Sequence, residues 1–335
     1  MGFACTFDSQ AHRSRAGRKT SILVCFQPNA WAMVLRYLFA YTRVSAFTFA
    51  EFLSSQFRAL EDAQLSFAHR LRCDLANRAK QYADTRSLPH CLSYGDEPVV
   101  CFEPVDDILH GNFLGASYRA IAANPEWRRR MDKVHTSARR LLPRREQGRW
   151  RELDSCMSSD ALLMNVFCYP RVLSRAEVTS MLGLTADLAP QFGFLARVPL
   201  RNDRGDRTEV DMRLGNLLVE AKLTEGGFQC ANRSMLERYR DFPEVFEVEG
   251  LPQTERGYES YQLIRNVLAA YAAGCSFCAL LDARRPDLLH AVFAVVKCIR
   301  PVDLRTSCVV LTWQELTRAL PGRLRAFLGE KYGIE

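Results

Sequence analysis

The stretch from Thr208 to Leu223, read as Glu209-Val210-Asp211-Met212-Arg213-Leu214-Gly215-Asn216-Leu217-Leu218-Val219-Glu220-Ala221-Lys222 between those ends, concentrates the residues that could do chemistry. Gly215-Asn216 is a two-residue loop of the kind that tolerates positive φ, and it predicts a β-hairpin. Leu214 then pairs with Leu217, and the same register sets Asp211 opposite Glu220 and Glu209 opposite Lys222. Strand alternation places those four side chains on one face. Val210, Met212, Leu214, Leu217, Val219 and Ala221 take the other. Directly opposed carboxylates lie roughly 4.5 to 5.5 Å apart at Cβ and repel unless a cation or a proton separates them. A hard divalent cation suits such a pair, since Mg²⁺ takes one or two protein carboxylates, waters and phosphate oxygens, and Mn²⁺ is the natural substitute. Lys222, on the same face, could orient or deprotonate an attacking water or stabilise charge developing on a phosphoryl group. This is equipment for phosphodiester hydrolysis.

Asp211 followed after eight residues by Glu220-Ala221-Lys222 resembles the D…(D/E)xK signature of the PD-(D/E)XK nucleases, the restriction-endonuclease-like superfamily. The leading proline-aspartate of that signature is Val210-Asp211 here, which keeps the aspartate. The resemblance covers roughly the C-terminal half. It implies an α/β fold with a restriction-endonuclease-like mixed sheet flanked by helices. It also implies Mg²⁺ held by Asp211, Glu220 and the backbone carbonyl of Ala221, with Lys222 acting on the water and DNA as substrate. In the helix after the hairpin, Tyr258, Gln262 and Asn266 share one stripe opposite Leu263, Val267, Leu268 and Ala270. The resemblance makes Gln262 the contact candidate near the catalytic group, against a solvated helix face. Some members add a carboxylate from the helix before the first strand, for which Asp160 and Glu177 both qualify. Segment Ser158-Ser159-Asp160 to Asn165 resembles a subgroup of bacterial restriction-endonuclease-like proteins. Glu209 keeps three roles open: a place in the metal shell, a salt bridge to Lys222, or a solvated strand start.

The elements that must position these groups are legible in part. Strands are expected at Phe192–Pro199, Thr208–Leu214, Leu217–Leu223, Phe277–Asp282 and Ser307–Thr312. Helices are expected at Ala161–Phe167, after Ser174 with Glu177 three residues on, and at Tyr258–Ala273, Asp287–Cys298 and Gln314–Lys331. Upstream, Phe52, Leu53, Phe57, Leu60, Leu65, Phe67, Leu71 and Leu75 recur at helical spacing. A loop is expected from Leu88 to Pro104, and a helix from Asn112 until Asn124-Pro125. The expected division is an N-terminal extension at 1–50, a mostly helical region at 51–155 and the nuclease-like domain at 156–335.

Between Arg128 and Arg151 stand ten basic residues against two acidic ones. Such a run is either a solvated face or a track for phosphates. The whole chain carries 45 Lys and Arg against 38 Asp and Glu over 335 residues, a mild excess that suits a polyanion. Its 12 cysteines fall singly, which points to a reducing, cytoplasmic setting. Cys275-Ser276-Phe277-Cys278 reads as buried strand residues; a cluster would also need Cys298 and Cys308, whose spacing fits no ferredoxin-like pattern. The six histidines lack HExxH or paired-ligand grouping. No GxxxxGK[ST], GxGxxG or GxSxG occurs, which removes motors, dinucleotide enzymes and the usual serine hydrolases. The apolar run Ile22–Ala50 is broken by Gln27, Pro28, Arg36 and Arg43, so no membrane span is expected. A homodimer would suit double-strand cutting. The rival expectations are a structure-specific repair or recombination nuclease and a non-catalytic nucleic-acid-binding module.

Overall fold

The computed structural model describes residues 66–335 apart from 94–97, 107, 135–149, 186–187 and 256. The expected N-terminal extension, the first part of the helix begun at Phe52 and most of the basic run lie outside the described residues. Helix α1 (Phe67–Thr85) starts at Ser66, whose hydroxyl accepts from the His69 amide. The expected loop at Leu88–Pro104 contains two short antiparallel strands, β1 (His90–Leu92) and β2 (Val100–Phe102). The Pro, Gly and Asp content hid the apolar run at Val100, Cys101 and Phe102, all three of which are buried. Helix α2 (Gly115–Ala123) ends at Asn124, which also caps α3 (Pro125–Arg130) by accepting from the Glu126 and Trp127 amides. Asn-Pro therefore breaks one helix and opens the next, with proline at the first helical position, where no amide is needed.

Helix α4 (Ser159–Phe167) is capped by the Ser158 hydroxyl and is buried at every position after Ser159. Helix α5 (Ala176–Met181) has Arg175 as its N-cap, one residue after the Ser174 expected from sequence. Strands β3 (Gln191–Pro199), β4 (Gly205–Leu214) and β5 (Leu217–Ala221) follow. Short helices α6 (Arg233–Glu237) and α7 (Phe242–Val245) and the two-residue strands β6 (Gln253–Thr254) and β7 (Gly257–Tyr258) lead to α8 (Tyr261–Ala273). The helix stops at Gly274, whose φ of +59° is a left-handed C-terminal cap. Strand β8 (Ser276–Leu281), helices α9 (Pro286–Val296) and α10 (Val302–Thr306), and strand β9 (Cys308–Thr312) complete the sheet. The single helix expected at Gln314–Lys331 is two, α11 (Trp313–Arg318) and α12 (Gly322–Tyr332), because Pro321 ends the first and starts the second.

The main sheet has five strands in the order β3-β4-β5-β8-β9; β3, β4 and β5 are antiparallel, and β8 and β9 add in parallel. This is the mixed α/β sheet flanked by helices that the resemblance implied. β5 and β8 are central and buried on both faces, which is why they read as continuous apolar runs. One face packs Met212, Leu214, Val219, Ala221 and Leu280 against α1, α4, α11 and α12. The other packs Val210, Leu218, Phe277 and Ala279 against α7, α8 and α9.

Near the end of α12 a lysine is enclosed. Lys331 is 1% exposed, and its Nζ donates to the Gly111 carbonyl and to Asn112 Oδ1. The rings of Tyr82, Phe102, Phe327 and Tyr332 surround the same nitrogen at 5.6, 4.3, 5.6 and 5.3 Å. Burial pulls its pKa well below the ordinary lysine value. The residue ties the C-terminal helix to the turn at 110–113 and to α1.

Candidate active site

The hairpin closes in the expected register for three pairs, Leu214 with Leu217, Arg213 with Leu218 and Met212 with Val219, turning at Gly215 with φ +57°. There the ladder stops. Instead of Asp211 facing Glu220 across paired backbones, Asp211 Oδ2 accepts the Ala221 amide at 2.8 Å, so a side chain substitutes for the partner strand. The β3–β4 ladder lapses at the same level: Phe192 pairs with Met212 and Phe194 with Val210, and the intervening Gly193 has φ +61°. This kink turns Val210 to the opposite core from Met212 and Leu214, correcting the simple alternation expected from sequence. The candidate residues therefore gather where β4 and β5 part, not on an open sheet face.

Glu220 is 3% exposed and has both oxygens occupied: Lys222 Nζ donates to Oε1 at 2.6 Å and Asn266 Nδ2 to Oε2 at 2.7 Å. Lys222 is 5% exposed, its nitrogen 5.7 Å from the Phe228 ring centre and its carbonyl held by Trp313 Nε1 at 3.2 Å. Burial alone would weaken the Lys222 charge, but Glu220, Asp211 and Glu225 outweigh it and raise its pKa above the ordinary value. Asp211 moves the other way from a usual carboxylate. Burial first, then the charges of Glu220 and Asp160, raise its pKa well above normal, against the pull of Lys222 and the Ala221 amide.

Asp160, in the first turn of α4, belongs to this centre, and Glu177 does not. Asp160 is 6% exposed and accepts from Arg130 Nη2 at 2.8 Å and Lys133 Nζ at 2.9 Å. Glu177 is exposed and lies 3.9 Å from Arg175. The segment after β5 explains the choice. Glu225 accepts from the Ser159 hydroxyl at 2.6 Å and the Leu223 amide at 2.7 Å. Buried Arg285 donates to the carbonyls of Leu223 and Glu225 at 3.1 and 2.7 Å. The start of α4 is thereby laced to the segment that follows β5.

Glu209 does not bridge to Lys222. It pairs with Arg130 at 2.8 Å and Lys133 at 3.5 Å, and those two cations hold its pKa below normal despite partial burial. Gln262 is half-buried, and the structure brings Asn266, one turn further along α8, into contact with Glu220 instead. Asn266 was on the predicted stripe; its full burial on a helix otherwise packed with Leu, Ile and Val could have singled it out. Tyr258 lies in β7, outside the helix. Cys278 is a buried β8 residue whose thiol burial pushes up to about 12, and Cys275 is buried just after Gly274.

The donor set suits a hard divalent ion. Among the described residues, Asp211 is hydrogen-bonded through Oδ2, to the Ala221 amide. A strand residue directs its amide and carbonyl to the same side, so the Ala221 carbonyl faces the gap that its amide already spans to Asp211. Asn266 Oδ1 is buried without a partner beside Glu220. Among the described residues no three His, Cys, Asp or Glu side chains form a metal cage. Two carboxylates, a carbonyl and waters are the usual magnesium complement.

Gly193→Ala tests the kink. The φ of +61° strains any side chain, and a Cβ there would lie 2.4 Å from Arg130 Nη1. The expected loss is about 1–3 kcal/mol in urea denaturation. Gly183→Ala, at φ +66° with nothing within 4 Å, measures the backbone strain alone; equal losses at the two positions would show that Arg130 yields freely.

Among the described residues no helix is long and apolar enough to cross a membrane. No curated protein and no solved structure matches the chain. Residues 76–333, from within α1 to the glycine that caps α12, match the model of the family described as restriction endonuclease associating with ARP, so the chain belongs to that restriction-endonuclease family.

Proposed function

We propose that this protein is a Mg²⁺-dependent nuclease that hydrolyses DNA phosphodiester bonds. The observation that carries the reading is the convergence of Asp211, Glu220, Lys222 and the Ala221 backbone at the point where β4 and β5 separate. Asp211, Glu220 and the Ala221 carbonyl would hold the metal. When bound, Mg²⁺ supplies charge on the phosphoryl oxygens and a more acidic water. Asn266 fixes the rotamer of Glu220, Trp313 holds the backbone carbonyl of Lys222, and the Phe228 ring lies beside its ammonium. The raised Lys222 pKa makes it an ammonium at neutral pH, which favours orienting water and stabilising transition-state charge over accepting the proton.

The test is cleavage of duplex, single-stranded and branched DNA with Mg²⁺, Mn²⁺ or EDTA, comparing wild type with Glu220→Ala. Metal-dependent cutting that the variant loses by on the order of 10³-fold is expected. The preferred substrate separates a restriction from a repair role. DNA binding without cutting under any metal would leave a binding module and overturn the proposal.

A further inference from the structure

We propose that Arg130 and Lys133 grip a backbone phosphate of the nucleic acid at the candidate centre; this deepens the nuclease reading and rests on it for the identity of the ligand. The basic run opens with three consecutive arginines, and the structure treats them differently. Arg128 and Arg129 are exposed at the surface. Arg130 turns inward, its side chain only 10% exposed, and Nη2 reaches Asp160 and Glu209, each at 2.8 Å. Among the described residues, the bonds of that guanidinium run from Nη2, and Nε is buried without an acceptor. A buried donor left unpaired costs about 1–3 kcal/mol, a penalty that is removed when the guanidinium turns outward to meet a phosphate oxygen.

Room for the guanidinium is built into the sheet. Gly193, at the lapse in the β3–β4 ladder and level with Asp211, is the residue over which Arg130 lies, and no larger side chain fits there without displacing it. Lys133 stands at the rim with its side chain 37% exposed, bonded closely to Asp160 at 2.9 Å and loosely to Glu209 at 3.5 Å. Glu209, 42% exposed, is the partner that can swing into water and leave both cations to a phosphate.

Planar Arg suits two phosphate oxygens and Lys acts as a point charge beside it.

The experiment measures binding of a fluorescein-labelled DNA duplex in EDTA by anisotropy across a KCl series, for the full chain and for Arg130→Gln and Lys133→Gln. Each variant is expected to reduce the slope of log affinity against log salt by about 0.9, the loss of one phosphate contact. Lys133→Gln is the decisive variant, because Lys133 is at the rim and Asp160 keeps Arg130, so the fold survives. Unchanged slopes in folded variants overturn the assignment even where wild type cuts DNA. Reduced slopes with a wild type that cuts nothing overturn the nuclease reading and leave the phosphate grip standing.

Discussion

Asp211→Asn is expected to abolish cleavage and at the same time to stabilise the metal-free protein. The two effects share one cause. Asp211 sits among Glu220 and Asp160 in a buried site, and its pKa is raised well above the carboxylate range. Its unfolded value is about 3.9. Between that value and the folded one the native state binds the extra proton, so stability falls as pH rises through the window. Asparagine keeps an oxygen for the Ala221 amide and removes the charge. A gain of about 0.5–2 kcal/mol is expected from urea denaturation near neutral pH in EDTA, shrinking to nothing below about pH 3.9. Cleavage should fall on the order of 10³-fold, since a metal ligand has become neutral. An Asp211→Asn protein that cuts at the wild-type rate, or that is less stable at neutral pH, contradicts the site described here.

Lys331 carries the second large effect. Lys331→Ala empties the aromatic enclosure and strips Asn112 Oδ1 and the Gly111 carbonyl of their donor, with an expected loss of about 3 kcal/mol. Lys331→Met refills the space with a flexible stem and a sulfur that suits ring edges, so it should recover much of that loss. The pH dependence separates packing from charge. With the folded pKa pulled down by burial, the unfolded chain binds the extra proton between that value and about 10.4. Stability contributed at this position therefore rises with pH across the window, and the methionine variant lacks the slope. Denaturation at pH 7 and pH 9.5 should show wild type gaining on Lys331→Met. Equal behaviour at both pH values would mean that the four rings and two carbonyls keep the ammonium charged.

Asp211, Glu220 and Lys222 could be read from sequence because a hairpin is local: a Gly-Asn turn fixes register within a few residues, and the apolar positions on either side confirm it. The register was right where backbones pair. It failed at Asp211, because the lapse depends on Gly193 in another strand and on a side-chain-to-amide bond that no alternation rule contains. The same limit explains Glu209, whose partners Arg130 and Lys133 come from about 76 residues away. Asp160 and Glu177 looked equivalent, since both open short helices before β3. The Glu225–Ser159 bond and the Arg130 and Lys133 contacts of Asp160 decide between them. The five strands were legible as apolar runs, whereas β1 and β2, at three residues each, were too short to stand out from turn residues.

The spread of these contacts along the chain sets an order of assembly. Asp211 and Ala221 are 10 residues apart and meet through the fast closure of one hairpin. Asn266 reaches Glu220 across 46 residues, after a crossover that must lay β8 beside β5, and Trp313 reaches the Lys222 carbonyl across 91. Long-range parallel pairing is slow because loop closure precedes its reward. A chain emerging from the ribosome thus displays its paired carboxylates early and as a bare hairpin. The amide that holds Glu220 arrives with α8, whereas the indole that holds the Lys222 carbonyl arrives only when β9 and the start of α11 have been made.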